Sequence, residues 1–171
     1  MFGKGYFDAM LGLGIPFSLI LLRRNARSVA LSMLRLGTIP GRTHWGRRFY
    51  MLPSEAQFVK LPDAARLTDY QLCYWHVREM EARQKAYGDR ARAAGHAVAE
   101  VDTDDLNKPG TFEALLATLG IEASAADLAR IDAVRGERVN EKVLRVERPV
   151  TMPDDIDAEE AAIDALAGNA A

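Results

Sequence analysis

The most constraining feature of this 171-residue chain is a short apolar run followed almost at once by a helical pattern. Residues Phe17 to Leu22 read FSLILL, a continuous run of strand length that is typical of a strand covered on both faces. A helix is then predicted over Arg27 to Leu36, with Gly37 as its C-cap. A strand that turns directly into a helix favours an α/β fold.

The remaining elements follow in an order that suits a parallel sheet. A short helix is predicted over Tyr6 to Leu13, a long helix over about Leu67 to Ala93, a second strand over His96 to Val101, and helices over Thr111 to Leu119 and Ala125 to Val134. This order predicts a small parallel sheet flanked by helices. Because parallel sheets usually have more strands and are covered on both faces, part of the sheet is expected to be missing.

Composition argues against several broad classes. Apolar residues make up 49% and charged residues 27% of the chain, which favours a globular protein over a disordered or fibrous one. The single cysteine, Cys73, lies among apolar residues of a predicted helix and favours a structural thiol in a reducing compartment. The apolar stretch Met10 to Leu22 is interrupted by Pro16 and is too short to span a membrane, so a cytoplasmic protein is expected.

Charge is distributed unevenly along the chain. Residues 1–50 hold eight Lys or Arg against one Asp, a balance of +7, whereas residues 151–171 hold six acids and no base, a balance of −6. One interpretation is a solvated basic face and an acidic tail, and the other is that the front of the chain handles an anion.

Residues 1–148 are predicted to form one α/β domain. Residues 149–171 are predicted to be an acidic, Ala-rich tail that adds little to the core, with a short helix near Asp157 to Leu166.

The strand-to-helix turn has the residues of an anion site. Arg24 lies at the carboxyl end of the predicted strand, where ligands of open α/β sheets bind, and the helix start presents free N–H groups. Arg24 offers a planar fork of donors, and the Ser32 hydroxyl leans back toward the helix start. Both are predicted to hold one phosphate, with Arg27 in reach of the same anion. The alternative is an arginine that ends a strand in water and a serine bonded to its own backbone.

Two segments carry a family resemblance. RNARSVALS, Arg24 to Ser32, resembles the motif with which sulfotransferases hold the 3′-phosphate of their donor, PAPS. VAEVDTDDLNKPGTFEALLATLGI, Val98 to Ile121, is similar to the sulfotransferase segment in which a strand ends in an acidic turn, followed by Pro and a helix that ends in Leu-Gly. Between them, DYQLCYWHVREMEARQ fits the long helix that the family places before that strand.

The resemblance implies a partial P-loop-like, three-layer fold. It implies binding of PAPS, or of its product PAP, through Arg24, Arg27 and Ser32, and transfer of a sulfuryl group to a hydroxyl or amine. Arg138 in VRGERVNEK falls where the family returns a basic loop to the 3′-phosphate, but the usual Arg-Lys-Gly order is absent and a solvated loop is an equal alternative. The expected partners are the nucleotide donor and a small-molecule or glycan acceptor. Neither a nucleic acid nor a membrane is expected as a partner. The oligomeric state is left open, and an oligomer is possible.

The chain departs from the family in front of Arg24. The triplet around Lys4 does not fit GxxxxGK[ST], no segment matches the loop that holds the 5′-phosphosulfate, and no catalytic residue is identified. These absences suggest a fragment of a longer enzyme. The alternative function is a non-catalytic nucleotide-binding or interaction protein derived from the same fold.

Other polar residues receive structural interpretations. His76 and His96 have no partners at metal-ligand spacing, and the aspartates Asp102, Asp104 and Asp105 are predicted to cap a turn, so no metal site is expected. The connection GRTHWGRRFY, residues 41–50, mixes arginines with aromatic residues, a combination that suits single-stranded nucleic acid. No nucleic-acid-binding motif accompanies it, so an acceptor-side or packing loop is favoured, with His44 structural.

Overall fold

A computed structural model of the chain describes residues 6–61, 63–134 and 149–168. In this part of the chain there are seven α-helices and two strands, in the order α1 Tyr6–Gly12, β1 Ser18–Arg23, α2 Ala26–Arg35, α3 His44–Phe49, α4 Asp69–Ala93, β2 Ala97–Asp102, α5 Thr111–Thr118, α6 Ala125–Val134 and α7 Ile156–Gly168. A 3-10 turn, Ala64–Arg66, precedes α4. The α/β class is confirmed.

The chain divides into two compact units. The helical unit contains Asn25–Gln84 and residues 149–168, and so holds α2, α3, most of α4 and α7. The sheet unit contains residues 6–24 and 85–134, and so holds α1, both strands, the end of α4, α5 and α6.

The two strands of the sheet unit pair in parallel, with Ser18 opposite Ala97 and Arg23 opposite Asp102. One face of β1 is covered, because Leu21 is buried against α4 at Gly88, where an added Cβ would lie 2.8 Å from Leu21 Cδ1. On the other face Ile20 and Leu22 are 44% and 50% exposed. The expectation that this strand is covered on both faces was therefore wrong: helix α5 contacts β2, and this face of β1 stays open.

The core of the helical unit forms around α4. Trp75 is fully buried, and its indole Nε1 donates to the backbone oxygen of Val59 at 2.7 Å. Leu34 of α2 and Ile163 of α7 are also fully buried in this core. The helix predicted near the end of the chain is thus confirmed as α7, but the expectation that the segment adds little to the core was wrong.

Helix α2 ends at the glycine that the sequence indicates, Gly37. After α2 the backbone of Gly37 is left-handed, with φ +63°, and its N–H donates to Leu34 O at 2.8 Å. The N–H of Thr38 donates to Met33 O at 3.0 Å, which completes a Schellman-type C-cap. The helix end predicted at Gly37 is confirmed.

Helix α3 was not predicted, because residues 41–50 carry Gly and charged residues throughout. Thr43 caps it by accepting the N–H of Gly46 at 3.1 Å. Gly46 is the buried residue of this helix, since its backbone passes directly over the oxygen of Ile39. The other five residues of α3 are exposed.

Helix α4, at 25 residues, is long enough to span a bilayer. Charged side chains recur along its whole length, from Asp69 to Arg92. Within the described ranges, no helix combines the length and the apolar character that crossing a membrane requires.

Candidate anion-binding site

The start of α2 has the features of an anion site within the helical unit. Asn25 caps the helix, and its side-chain oxygen accepts the backbone N–H of Ser28 at 2.9 Å. The first turn contains no acidic residue, so α2 itself supplies no carboxylate to offset the partial positive charge of its N-terminus. Arg27 is the second residue of the helix and lies in this turn.

Arg27 binds two carboxylates of α7. Its Nε and Nη2 donate to the two carboxylate oxygens of Glu160, at 2.9 and 2.8 Å, and Nη2 also donates to Asp157. The hydrogen bond from Arg27 is the main cause that lowers the pKa of Glu160, so this carboxylate is ionised at neutral pH. Arg27 thus holds an anion through the planar fork that also recognises phosphate.

Further contacts fix α7 beside α4. The Tyr70 hydroxyl donates to Glu160, and burial followed by this hydrogen bond raises the pKa of Tyr70. The Tyr74 hydroxyl donates to Asp164 Oδ2 at 3.2 Å, and Arg78 Nε forms an ion pair with Asp164 Oδ1 at 2.8 Å. The start of α7 therefore pairs with Arg27 and with Tyr70 of α4, and its middle pairs with Tyr74 and Arg78.

Ser32 lies in the middle of α2 and is partly buried. Because residues three or four apart share a helix face, Ser32 shares its face with Ser28, whereas Arg27 projects from another side. Ser28 is exposed and lies one turn nearer the helix start. Helix geometry therefore places Ser28, which the sequence reasoning did not single out, next to the predicted phosphate ligand Ser32.

Arg24 follows β1 and belongs to the sheet unit. Its Nε lies 3.9 Å from Asp104 Oδ1, and both side chains are more than half exposed, so this contact contributes little stability. The preceding residue, Arg23, pairs instead with Glu100. The two arginines thus contact different carboxylates, as the alternation of a strand predicts. Arg138, the fourth predicted ligand, lies outside the described residues.

A groove of about 730 Å³ lies between β2 and α5 in the sheet unit. Its lining includes Glu100, Asp102 and Asp105, together with Arg92, which already pairs with Glu100. The Asp102 carboxylate accepts the N–H of Asp104 at 2.8 Å, so Asp102 caps the turn as predicted. Asp105 pairs instead with Lys108, and the Asp104 carboxylate lies near Arg24. Because carboxylates outnumber cations along the groove, it disfavours an anionic ligand.

Burial shifts the pKa of two titratable side chains of α4, Cys73 and His76. Burial raises the pKa of the Cys73 thiol to about 12, so the thiolate needed for nucleophilic chemistry is scarce at neutral pH. Burial, with a smaller effect from Arg83, lowers the pKa of His76 to about 4. Among the described residues, no group of His, Cys, Asp and Glu side chains has the arrangement of a metal site.

Helix α3 carries an aromatic pair on the surface. The rings of Trp45 and Phe49 stack with centroids 5.1 Å apart, and the Arg48 guanidinium lies 5.4 Å from the Phe49 centroid. Trp45 is 50% exposed and Phe49 is 39% exposed. These rings do not pack into the core, so the acceptor-side interpretation of residues 41–50 stays a prediction.

The sequence reasoning missed the acidic partners of Arg27. Asp157 and Glu160 belong to the segment of charge −6, and Arg27 belongs to the segment of charge +7. Opposite charge at the two ends of a chain is a signal for internal pairing, as well as for an external anion. The structure shows the internal pairing.

Neither protein-family models, curated proteins nor solved structures match this chain. Its function is therefore inferred from residues 24–32 and 98–121 and from the contacts of Arg27.

Proposed function

We propose that the chain binds the 3′-phosphate of PAPS, or of its desulfated product PAP, through the segment Arg24 to Ser32. The observation that carries this proposal is made at the start of α2. There Arg27 binds both carboxylate oxygens of Glu160 through its Nε and Nη2 donors. A phosphate offers the same pair of oxygens with greater negative charge. The N-terminus of α2 adds a favourable partial charge.

Arg24 and Ser32 are the proposed phosphate ligands, and Arg27 and Arg138 are further donors. Support for Arg24 comes from its position directly after β1 and from its long contact with Asp104, which a ligand displaces at little cost. Ser28 joins this set because it lies one turn before Ser32. The proposed fold is the P-loop-like fold of sulfotransferases, with β1 and β2 as two of its parallel strands.

We propose that bound PAPS would donate its sulfuryl group to a hydroxyl or amine of a small-molecule or glycan acceptor. The S–O bond to the donor phosphate breaks, a bond from sulfur to the acceptor atom forms, and PAP leaves. The acceptor loses a proton to a base, a role that no described residue is proposed to fill. Losing a general base costs about 10²- to 10⁴-fold in rate, which favours nucleotide binding without rapid catalysis.

Calorimetry with PAP tests the proposed site. Wild-type protein is expected to bind PAP in the micromolar range, and Arg24→Ala and Ser32→Ala are expected to weaken binding. Arg35→Ala is the matched control, because Arg35 is an exposed arginine in the last turn of the same helix. Adenosine 5′-monophosphate, which lacks the 3′-phosphate, should bind more weakly than PAP. Equal binding by wild type and Arg24→Ala, or no binding by folded protein, would overturn the proposal.

An activity assay separates the two functional alternatives. Protein that binds PAP is incubated with PAPS and a panel of hydroxyl and amine acceptors, and release of PAP is followed. Acceptor-dependent release identifies a sulfotransferase. Binding of PAP without release at any acceptor concentration identifies a nucleotide-binding protein that lacks the reaction.

A further inference from the structure

We propose that the first turns of α7 occupy the anion site at Arg27, so that a phosphate binds there only by displacing at least one of the carboxylates of Glu160 and Asp157. This inference rests on the proposed function and concerns the regulation of the same site. It makes the acidic end of the chain an internal competitor of the nucleotide.

The donors of Arg27 are already engaged on both edges of the guanidinium. Nε and Nη2 form one bidentate edge, and both donate to Glu160. Nη1 and Nη2 form the other edge, and Nη2 donates to Asp157 as well. A phosphate that uses either edge needs Nη2, and therefore needs at least one carboxylate to leave.

Charge also opposes a second anion. One guanidinium faces two carboxylates, so the cluster of Arg27, Asp157 and Glu160 carries a net charge of −1 when all three groups are ionised. The Arg27 hydrogen bond keeps Glu160 ionised at neutral pH, as described above. An incoming phosphate is repelled until a carboxylate moves away.

Only the start of α7 has to move. Ile163 is fully buried, and Asp164 contacts both Tyr74 and Arg78, so the middle of the helix is held independently of Arg27. Asp157 is largely exposed, whereas the Glu160 side chain is only 12% exposed. Displacement of Glu160 therefore exposes its carboxylate and breaks its hydrogen bond from Tyr70, and it leaves Ile163 in the core.

Titration of a charge-matched pair of variants with PAP tests this competition. Glu160→Gln removes the carboxylate charge from Arg27 and keeps the shape of the side chain. Asp154→Asn removes one charge from the same segment at an exposed position, away from the ion pairs of Arg27. We expect Glu160→Gln to bind PAP about 5-fold more tightly than wild type, the lower end of typical coupling between sites, and Asp154→Asn to bind like wild type.

Hydrogen exchange gives a second readout of the same competition. Saturating PAP should increase the exchange of backbone amides in residues 157–160 of wild type and leave those near Ile163 protected. Measurable and equal affinity in wild type and Glu160→Gln, with unchanged exchange, would overturn the competition while the proposed site stands. Absence of PAP binding in every folded variant, including Glu160→Gln, would instead overturn the proposed function and the competition together.

Discussion

Glu79 and Arg83 form a buried ion pair one turn apart in α4, with Arg83 Nε donating to Glu79 Oε1 at 2.6 Å. The other oxygen of Glu79 accepts the backbone N–H groups of Phe58 and Val59, at 2.8 and 2.7 Å. One carboxylate therefore satisfies a buried guanidinium and two loop amides. This arrangement fixes residues 58–59 against α4.

Glu79→Ala is expected to be strongly destabilising, because it removes the buried acceptor of Arg83 Nε and of two loop amides. Removing one partner of a buried ion pair costs roughly 3–5 kcal/mol. Glu81→Ala, which breaks a partly exposed pair with Arg78, should cost less than about 1 kcal/mol. Urea unfolding measures both changes; similar losses in the two variants would contradict this assignment.

His76 should make stability depend on pH. Its folded-state pKa of about 4 lies below the ordinary value of 6.5, so the unfolded chain takes up the proton first. The stability that buried, neutral His76 contributes is therefore complete above pH 6.5. It decreases by on the order of 3 kcal/mol as pH falls toward 4. Chemical unfolding at a series of pH values should show a shallower slope for His76→Gln. Equal slopes in wild type and His76→Gln would contradict the burial of His76.

Gly46→Ala should destabilise the helical unit. An added Cβ would lie 1.8 Å from the backbone oxygen of Ile39, which cannot move aside as a flexible side chain does. The expected loss is at least about 2 kcal/mol, as for severe overpacking. Gly12→Ala is the control, since nothing lies within 4 Å of its added Cβ and its φ is not left-handed. Equal decreases in the thermal unfolding temperature of Gly46→Ala and Gly12→Ala would refute the close approach of Gly46 to Ile39.

Neighbouring leucines of β1 should respond differently to truncation. Leu21 is 3% exposed and Leu22 is 50% exposed. Leu21→Ala should cost roughly 2–5 kcal/mol, as is typical of a core leucine. Leu22→Ala should change stability by no more than about 1 kcal/mol, because the side chain is half in water. Equal losses in urea unfolding would show that the second face of β1 is also covered.

The two tryptophans should be separable by fluorescence quenching. Trp45 is half exposed and Trp75 is fully buried. Acrylamide should quench a red-shifted component that disappears in Trp45→Phe, and the remaining emission should be blue-shifted and resistant to quenching. If the emission of Trp45→Phe stays fully accessible to acrylamide, the burial of Trp75 is wrong.

Local signals predicted most of the secondary structure. Strand β1, helix α2 and its end at Gly37 all follow from an apolar run, a helical pattern and a glycine that adopts φ +63°. Strand β2 and helices α5 and α6 lie within one residue of their predicted ends. These signals extend over only a few residues, so the sequence displays them directly.

Contacts between distant segments were not predictable in the same way. The partners Arg27 and Glu160 are 133 positions apart, and no local pattern specifies that pairing. The exposure of Leu22 depends on how far α5 extends over the sheet, which the apolar run itself does not indicate. Helix α3 depends on a close approach between Gly46 and Ile39, which only the folded chain creates.

The parallel pairing of Ser18 with Ala97 also has a consequence for synthesis on the ribosome. Strand β1 is made first, and its hydrogen-bonding partner emerges only after the whole of α4 has been translated. During that interval Ile20 and Leu22 have neither a partner strand nor the fold around them, which is when nascent chains aggregate most readily. The yield of native protein should therefore depend on translation speed and on chaperones that bind apolar segments such as β1.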